Sequence, residues 1–192
     1  MKNILIINGH PNPSSFNFAI AESYLKGVLA SKTEVDKITI AKLNFNPNLQ
    51  FGYQKRTELE PDLLEAWEKI KKADHLVWIH PVWWGGLPAI TKGFIDRLFL
   101  PGMAFQYREN SVWWDKLLKG KTAHIITTLD QPGWYYRFFY ARPSVNQLKK
   151  TVLEFCGVQP VKVSYIGIIK TADETQRKKW LQKVYNFGLQ NK

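Results

Sequence analysis

Three stretches of this chain are almost uninterruptedly apolar: NILIIN (3–8), HLVWIHP (75–81) and AHIITTL (123–129). Runs of strand length with no alternating polar side have no face to offer to water. They predict strands covered on both faces, and so a parallel sheet held between two layers of helix. Two further β-branched runs, VDKITI (35–40) and KVSYIGII (162–169), bring the expected strands to five. Helix-period stripes lie between them: Ile20, Tyr24, Leu25, Val28 and Leu29; Leu63, Leu64, Trp67 and Ile70; Trp180, Leu181, Val184 and Phe187. Pro88 is expected to open a helix whose apolar set is Ile90, Phe94, Ile95, Leu98 and Phe99. Thr171 with Glu174 reads as a capping box for the last helix, and Gly157 as the stop of the helix ending VLEFC.

Strict alternation of strand and helix defines the α/β class, and five strands in 192 residues fit the flavodoxin-like, doubly wound order 2-1-3-4-5. One such domain is expected over residues 1–192. A chain of this length buries enough surface to need no disulfide or metal staple. With one cysteine, Cys156, an internal disulfide is excluded. MKNILIINGHP has too short an apolar core for a secretion signal, and no apolar run reaches spanning length, so a cytoplasmic location is expected. The formal charge of +11 comes from dispersed lysines and arginines, with local groups at 69–72, 116–121 and 177–179. Lacking a run of five basic residues, these read as solvated helix faces rather than a nucleic-acid footprint, and membrane contact is at most peripheral. Phosphate-bearing ligands would be drawn by the same field.

In this fold, ligands sit beyond the carboxyl ends of the first, third and fourth strands. The three loops expected there are chemically unusual. The first, GHPNPSSFNFA, leads straight into a helix, where Ser14, Ser15 and Asn17 either cap the helix or join its free N–H groups in holding an anion. The second, PVWWGGLPA, sets two tryptophans beside two glycines, offering flat surface and close backbone approach to a planar ring; packing at a sheet edge or subunit contact is the alternative. The third, TTLDQPGWYYRFFYARP, crowds six aromatics into residues 134–140, material for a ligand wall, a lid or a dimer contact. Thr127 and Thr128 place hydroxyls at the strand end, in position to meet ring heteroatoms.

Other chemistries find little support. There is no Gly-x-Gly-x-x-Gly, Walker sequence or Gly-x-Ser-x-Gly elbow. His10, His75, His80 and His124 lack metal-ligand spacing, and no metal site is expected. The loop after the first strand has no carboxylate for a phosphoacceptor pocket.

HPNPSSFNFAI, PVWWGGLPAITKGFIDRLF, the Thr127-Thr128 pair and EFCG together resemble the flavodoxin-like NAD(P)H:quinone oxidoreductases of the DT-diaphorase type, over most of the chain. The resemblance implies that His10, Ser15, Phe16, Asn17 and Ala19 surround a flavin phosphate or pyrophosphate. It puts Pro81, Val82, Trp83, Trp84 and Gly85 along the isoalloxazine edge, with Thr127, Thr128, Leu129 and Asp130 at its polar side. FAD is preferred over FMN, its adenosine half near His10 and Arg177. Tyr135 matches the family's active-site tyrosine, and Tyr136 joins it as a catalytic candidate. Two departures stand out: Leu129 and Asp130 replace a glycine pair, and Phe138 stands where the family has an active-site histidine.

The implied activity is two-electron hydride transfer from NAD(P)H, through flavin N5, to a quinone or similar planar acceptor, with ping-pong kinetics and a homodimeric enzyme. Two alternatives stay open: an ancillary regulatory subunit of a potassium-efflux system, and an FMN-dependent reductase of other acceptors.

Overall fold

The computed structural model describes residues 2–191. Its main sheet comprises β1 (Asn3–Asn8), β2 (Glu34–Thr39), β3 (His75–Pro81), β6 (Thr122–Thr128) and β7 (Val161–Ile166). Their spatial order is β2-β1-β3-β6-β7 and every pairing is parallel, which is the doubly wound order expected of five such strands. The three uniformly apolar runs are the inner strands, and the two mixed runs are the edges, where water reaches one side. Strand bounds move by a residue or so from the sequence reading, except that β7 ends at Ile166, short of the expected 169.

Alternate residues of the inner strands feed separate cores. Leu5, Ile7, Leu76, Trp78 and Ile125 pack beneath α2 (Pro61–Lys72) and α3 (Ala89–Leu98), joined by Phe94, Leu98 and Leu153. Ile4, Ile6, Val77, Ile79 and Ile126 pack beneath α1 (Phe16–Ala30) and α6 (Glu174–Leu189). These two helices touch backbone to backbone, since a side chain on Gly27 would strike the Tyr185 carbonyl and one on Gly188 the Tyr24 carbonyl. Leu29 and Leu64, counted in the predicted stripes, lie on exposed flanks instead.

Some local expectations need correction. The capping box at Thr171 does not form; Asp173 caps α6, its carboxylate accepting from the Gln176 N–H at 2.7 Å. Pro88 occupies the cap position of α3, and the helix begins one residue later. Residues 100–120, unassigned by periodicity, hold a short antiparallel hairpin of β4 (Phe105–Tyr107) and β5 (Trp114–Lys116). After α4 (Gly133–Phe138) and the short α5 (Pro143–Asn146), the helix continues in wider π-type turns over Gln147–Glu154. Gly157, at φ +104°, ends it as expected.

The long connection from β2 to α2 is anchored by a buried cation. Arg97 of α3 reaches Glu60 at 2.8 and 3.1 Å, the Glu58 carbonyl at 2.7 Å and the Asn46 carbonyl. Burial would raise the Glu60 pKa, but hydrogen bonds from the Asn46 N–H and Arg97 outweigh it and hold the carboxyl below its ordinary value. Replacing Glu60 leaves the guanidinium buried without its counter-ion, so Glu60→Gln is expected to cost about 3 kcal/mol at pH 7 in urea unfolding. Because the folded pKa is depressed, that contribution is present above the unfolded carboxylate pKa. It disappears as pH falls through the folded value, where variant and wild type should converge.

Candidate functional site

The carboxyl ends of β1, β3 and β6 open on a common cleft of about 160 Å³. It is lined by His10, Ser15, Phe16, Asn17, Pro81, Val82, Trp83, Thr128, Leu129, Asp130 and Ile169. Ten of these eleven are residues the sequence singled out, drawn from three loops far apart in the chain. The eleventh, Ile169, was read as strand. It reaches the cleft because β7 ends early and its loop folds back, with the Ile169 N–H donating to the Leu129 carbonyl at 2.9 Å.

The first loop builds itself by successive short-range bonds. Asn8 Oδ1 accepts from the His10 N–H (3.1 Å), His10 Nδ1 from the Asn12 N–H (3.0 Å), and Asn12 Oδ1 from the Ser14 N–H (2.9 Å). This explains two asparagines and a histidine at two-residue spacing: each side chain replaces a backbone acceptor that the turn lacks. Because His10 Nδ1 accepts, its proton resides on Nε2. Burial also lowers its pKa, and its ring meets Trp83 edge to face at 5.4 Å. Thr91 of α3 secures the loop by donating to the Gly9 carbonyl at 2.7 Å.

Ser15 holds the cap position of α1 in extended conformation, yet its hydroxyl makes no cap bond; it is buried without a hydrogen-bond partner. Asn17, 3% exposed, has its Oδ1 engaged by the Thr128 hydroxyl at 2.9 Å, and its Nδ2 is buried without an acceptor. Two unspent side-chain donors thus stand at a helix N-terminus, where first-turn N–H groups also lack intrahelical acceptors. A buried polar group left unmatched costs about 1–3 kcal/mol. The arrangement is matched when an oxyanion enters.

Trp83 and Gly86 exchange backbone bonds at 3.1 and 2.8 Å around a two-residue turn in which Trp84 (φ +50°) and Gly85 (φ +77°) are both left-handed. Gly85 suits this geometry; Trp84 adopts it at a cost of roughly 1–2 kcal/mol. Trp83 lies half-exposed along the cleft, whereas Trp84 stands fully in solvent at the turn's tip.

Seven expected site residues lie away from the cleft lining. Thr127 is buried and spends its hydroxyl on the His80 carbonyl at 3.1 Å. Ala19 faces outward on α1. Arg177 donates to the Ile169 and Ala172 carbonyls and lies 5.0 Å over the Phe16 ring, bracing the cleft from behind. Trp84 and Gly85 form the turn just described. Tyr135 stacks on Phe139 at 4.8 Å on the surface of α4. Tyr136 is fully buried, its hydroxyl bonded to Ser144 and to the Gly85 carbonyl, so it is not free to exchange protons with a ligand. Within the lining, Asp130 is also partly committed, accepting from the Lys170 N–H at 2.9 Å. Among the described residues no cluster of His, Cys, Asp and Glu is arranged to hold a metal. A larger hollow of about 320 Å³, between α3 and the π-helical turns, contains the internally paired Lys92 and Asp96 and lies off the strand ends.

A family model of flavodoxin-like fold, Flavodoxin_2, matches residues 2–186, and the chain belongs to that family, with the flavodoxin-like NAD(P)H:quinone oxidoreductases as its relatives. It is 30% identical over 186 residues to an uncharacterized NAD(P)H oxidoreductase of Haemophilus influenzae, covering 94% of this chain and 91% of that one. It is 26% identical over 184 residues to NAD(P)H dehydrogenase [quinone] 1 of Rattus norvegicus, covering 83% of this chain and 66% of the rat protein. The crystal structure of Smu.1420 from Streptococcus mutans superposes with a TM-score of 0.83 at 32% identity, covering 98% and 99% of the two chains. An FMN-dependent NADH-azoreductase of Bacillus anthracis, solved with FMN, shares the fold at a TM-score of 0.72 and 19% identity, covering 100% and 99%. No helix of the described residues is long and apolar enough to cross a membrane.

His80, fully buried where β3 meets the cleft, offers a check on this end of the sheet. Burial lowers its pKa to about 4. A folded value below the unfolded one of about 6.5 means that the unfolded chain binds the proton first. Stability is therefore undiminished above pH 6.5 and is lost as pH falls towards 4. The loss should total about 3 kcal/mol, and in urea unfolding His80→Leu should lack it.

Proposed function

We propose that this protein is a flavin-dependent NAD(P)H oxidoreductase reducing quinones or similar planar acceptors. The observation that carries the reading is the pair of unspent buried donors, Ser15 Oγ and Asn17 Nδ2, at the N-terminus of α1. They suit a phosphate, and the aromatic surface of Trp83 in the same cleft suits a ring system. Relatives named for NAD(P)H oxidation and quinone reduction support the same class.

In this reading Ser15, Asn17 and the first-turn N–H groups would hold the flavin phosphate, and Pro81, Val82 and Trp83, whose ring His10 meets edge to face, would lie against the ring. A bound flavin would supply the hydride-transfer chemistry. The chain's own contribution is orientation. Trp83 in the lining offers flat surface for a planar ring, and Trp84 and the exposed aromatics of α4, outside the lining, would extend it. A quinone receives one hydride and one proton to become a hydroquinone. The proton comes from solvent or the partly buried Tyr135, since the Tyr136 hydroxyl is occupied. FMN fits better than FAD, because Arg177, the residue expected to meet adenosine, is engaged with the Ile169 and Ala172 carbonyls. The FMN complex of the azoreductase neighbour agrees with that choice. A homodimer, in which a second copy covers the exposed aromatics, belongs to the same proposal.

Purified protein should release FMN, identified by mass, and oxidise NADH or NADPH with menadione, giving parallel double-reciprocal plots. Failure of flavin-loaded protein to turn over would overturn the enzyme reading and leave the efflux-regulatory one. Ser15→Asp places a carboxylate against the phosphate and should lower flavin affinity at least 100-fold, measured by fluorescence titration. Retention of flavin by that variant would show that the phosphate lies elsewhere.

A further inference from the structure

Residues 134–140 carry six aromatics, of which Tyr136 alone is fully buried. Its hydroxyl donates to the Gly85 carbonyl at 3.1 Å and accepts from the Ser144 N–H at 3.0 Å, with Ser144 Oγ at 2.6 Å. The Ser144 N–H also reaches the Gly85 carbonyl, at 3.0 Å. Two donors thus converge on one carbonyl, and Ser144 is itself fully buried. That carbonyl belongs to the tight turn whose tip is Trp84, an exposed tryptophan in a left-handed conformation that its own contacts do not explain. Tyr136 meanwhile roots α4, whose outer surface presents Trp134, Phe138 and Phe139. One phenol hydroxyl therefore ties the base of the Trp84 turn to α4, each carrying exposed aromatic surface.

We infer that Tyr136, with Ser144, is a positioning residue that fixes the Trp84 turn relative to α4, and so sets the gap that selects flat acceptors. This rests on the reading of the cleft as a flavin-dependent reductase site. It assigns Tyr136 no contact with substrate. The hydroxyl acts through Gly85 on Trp84, and the wall it holds decides how well a planar ring is retained. A small acceptor that takes electrons without stacking is indifferent to that wall.

Tyr136→Phe keeps the ring and removes only the hydroxyl; Ser144→Ala is the second variant should the first not fold. The first measurement needs no turnover. By NMR, amide exchange at Trp83 and Gly86, the two N–H groups that close the turn, should quicken at least 10-fold in the variant while β1 and β3 amides keep their protection. Unchanged exchange at these two sites overturns the inference. The second measurement uses flavin-loaded protein at saturating NADH. The menadione KM should rise about 10-fold with kcat retained, and the ferricyanide rate should not change. Equal losses with both acceptors would indicate general damage and overturn selective positioning. In a cycle with Trp84→Gly, Tyr136→Phe should add nothing further to the menadione KM, and additive effects would show that the hydroxyl does not act through Trp84. Wild-type protein inactive with every acceptor would defeat the reductase reading, while the exchange result would still decide whether the hydroxyl holds the turn.

Discussion

Everything in this molecule follows from the need to cover both faces of a parallel sheet. Parallel neighbours cannot be joined by hairpins, so each strand must return through a helix, and all strands finish at the same edge. At that edge the order reverses between β1 and β3, and the crossovers leave in opposite directions. Loops after β1, β3 and β6 are then forced together although they are scattered across more than 100 residues of chain. The cleft is a consequence of topology before it is a consequence of any particular side chain. What sequence adds is the chemistry: donors on the first loop, flat rings on the second, and the Thr128 hydroxyl that ties the third to Asn17.

The sheet was legible because its signal is local and redundant. Every residue of NILIIN and HLVWIHP is buried, and no surface helix tolerates such a run. That Ser15 and Asn17 would meet in the cleft was legible for a similar reason, since they sit at a strand-to-helix junction whose geometry is fixed by the fold. Residues whose role depends on where a hydroxyl points were not. Thr127 and Thr128 are adjacent and chemically identical, yet strand alternation sends one into the core, to the His80 carbonyl, and the other to the cleft. Tyr135 and Tyr136 divide likewise on α4, one on the surface and one buried. Periodicity predicts such a division only when the element's phase is known, and α4 is six residues long.

Leu129 and Asp130, standing where a glycine pair was expected, have a physical use in this chain. Leu129 is buried against Tyr136 and Val145, and its backbone bonds to both ends of the turn after β7, accepting from Ile169 and donating to Ile166. Asp130 adds a bond from the Lys170 N–H. Together they replace glycine's freedom with a fixed loop stapled to its neighbour. The bond from the Ile169 N–H to the Leu129 carbonyl sets Ile169 beside Leu129 in the cleft lining.

The missing histidine is open to the same kind of reasoning. Its place is taken by Phe138, which lies on the exposed surface of α4 and packs against Arg137 at 5.5 Å. A histidine there would stand at the rim in contact with water. The nearest buried imidazole, His80, is held neutral by its surroundings, and burial lowers the pKa of His10, whose Nδ1 already accepts a backbone bond. Neither is a convenient proton store near neutral pH, because a general acid works best with a pKa close to the working pH. Under the proposed reading, the proton that completes reduction therefore need not come from a dedicated side chain. Trp83, in the cleft lining, is itself half-exposed, so on that reading solvent serves as the proton source.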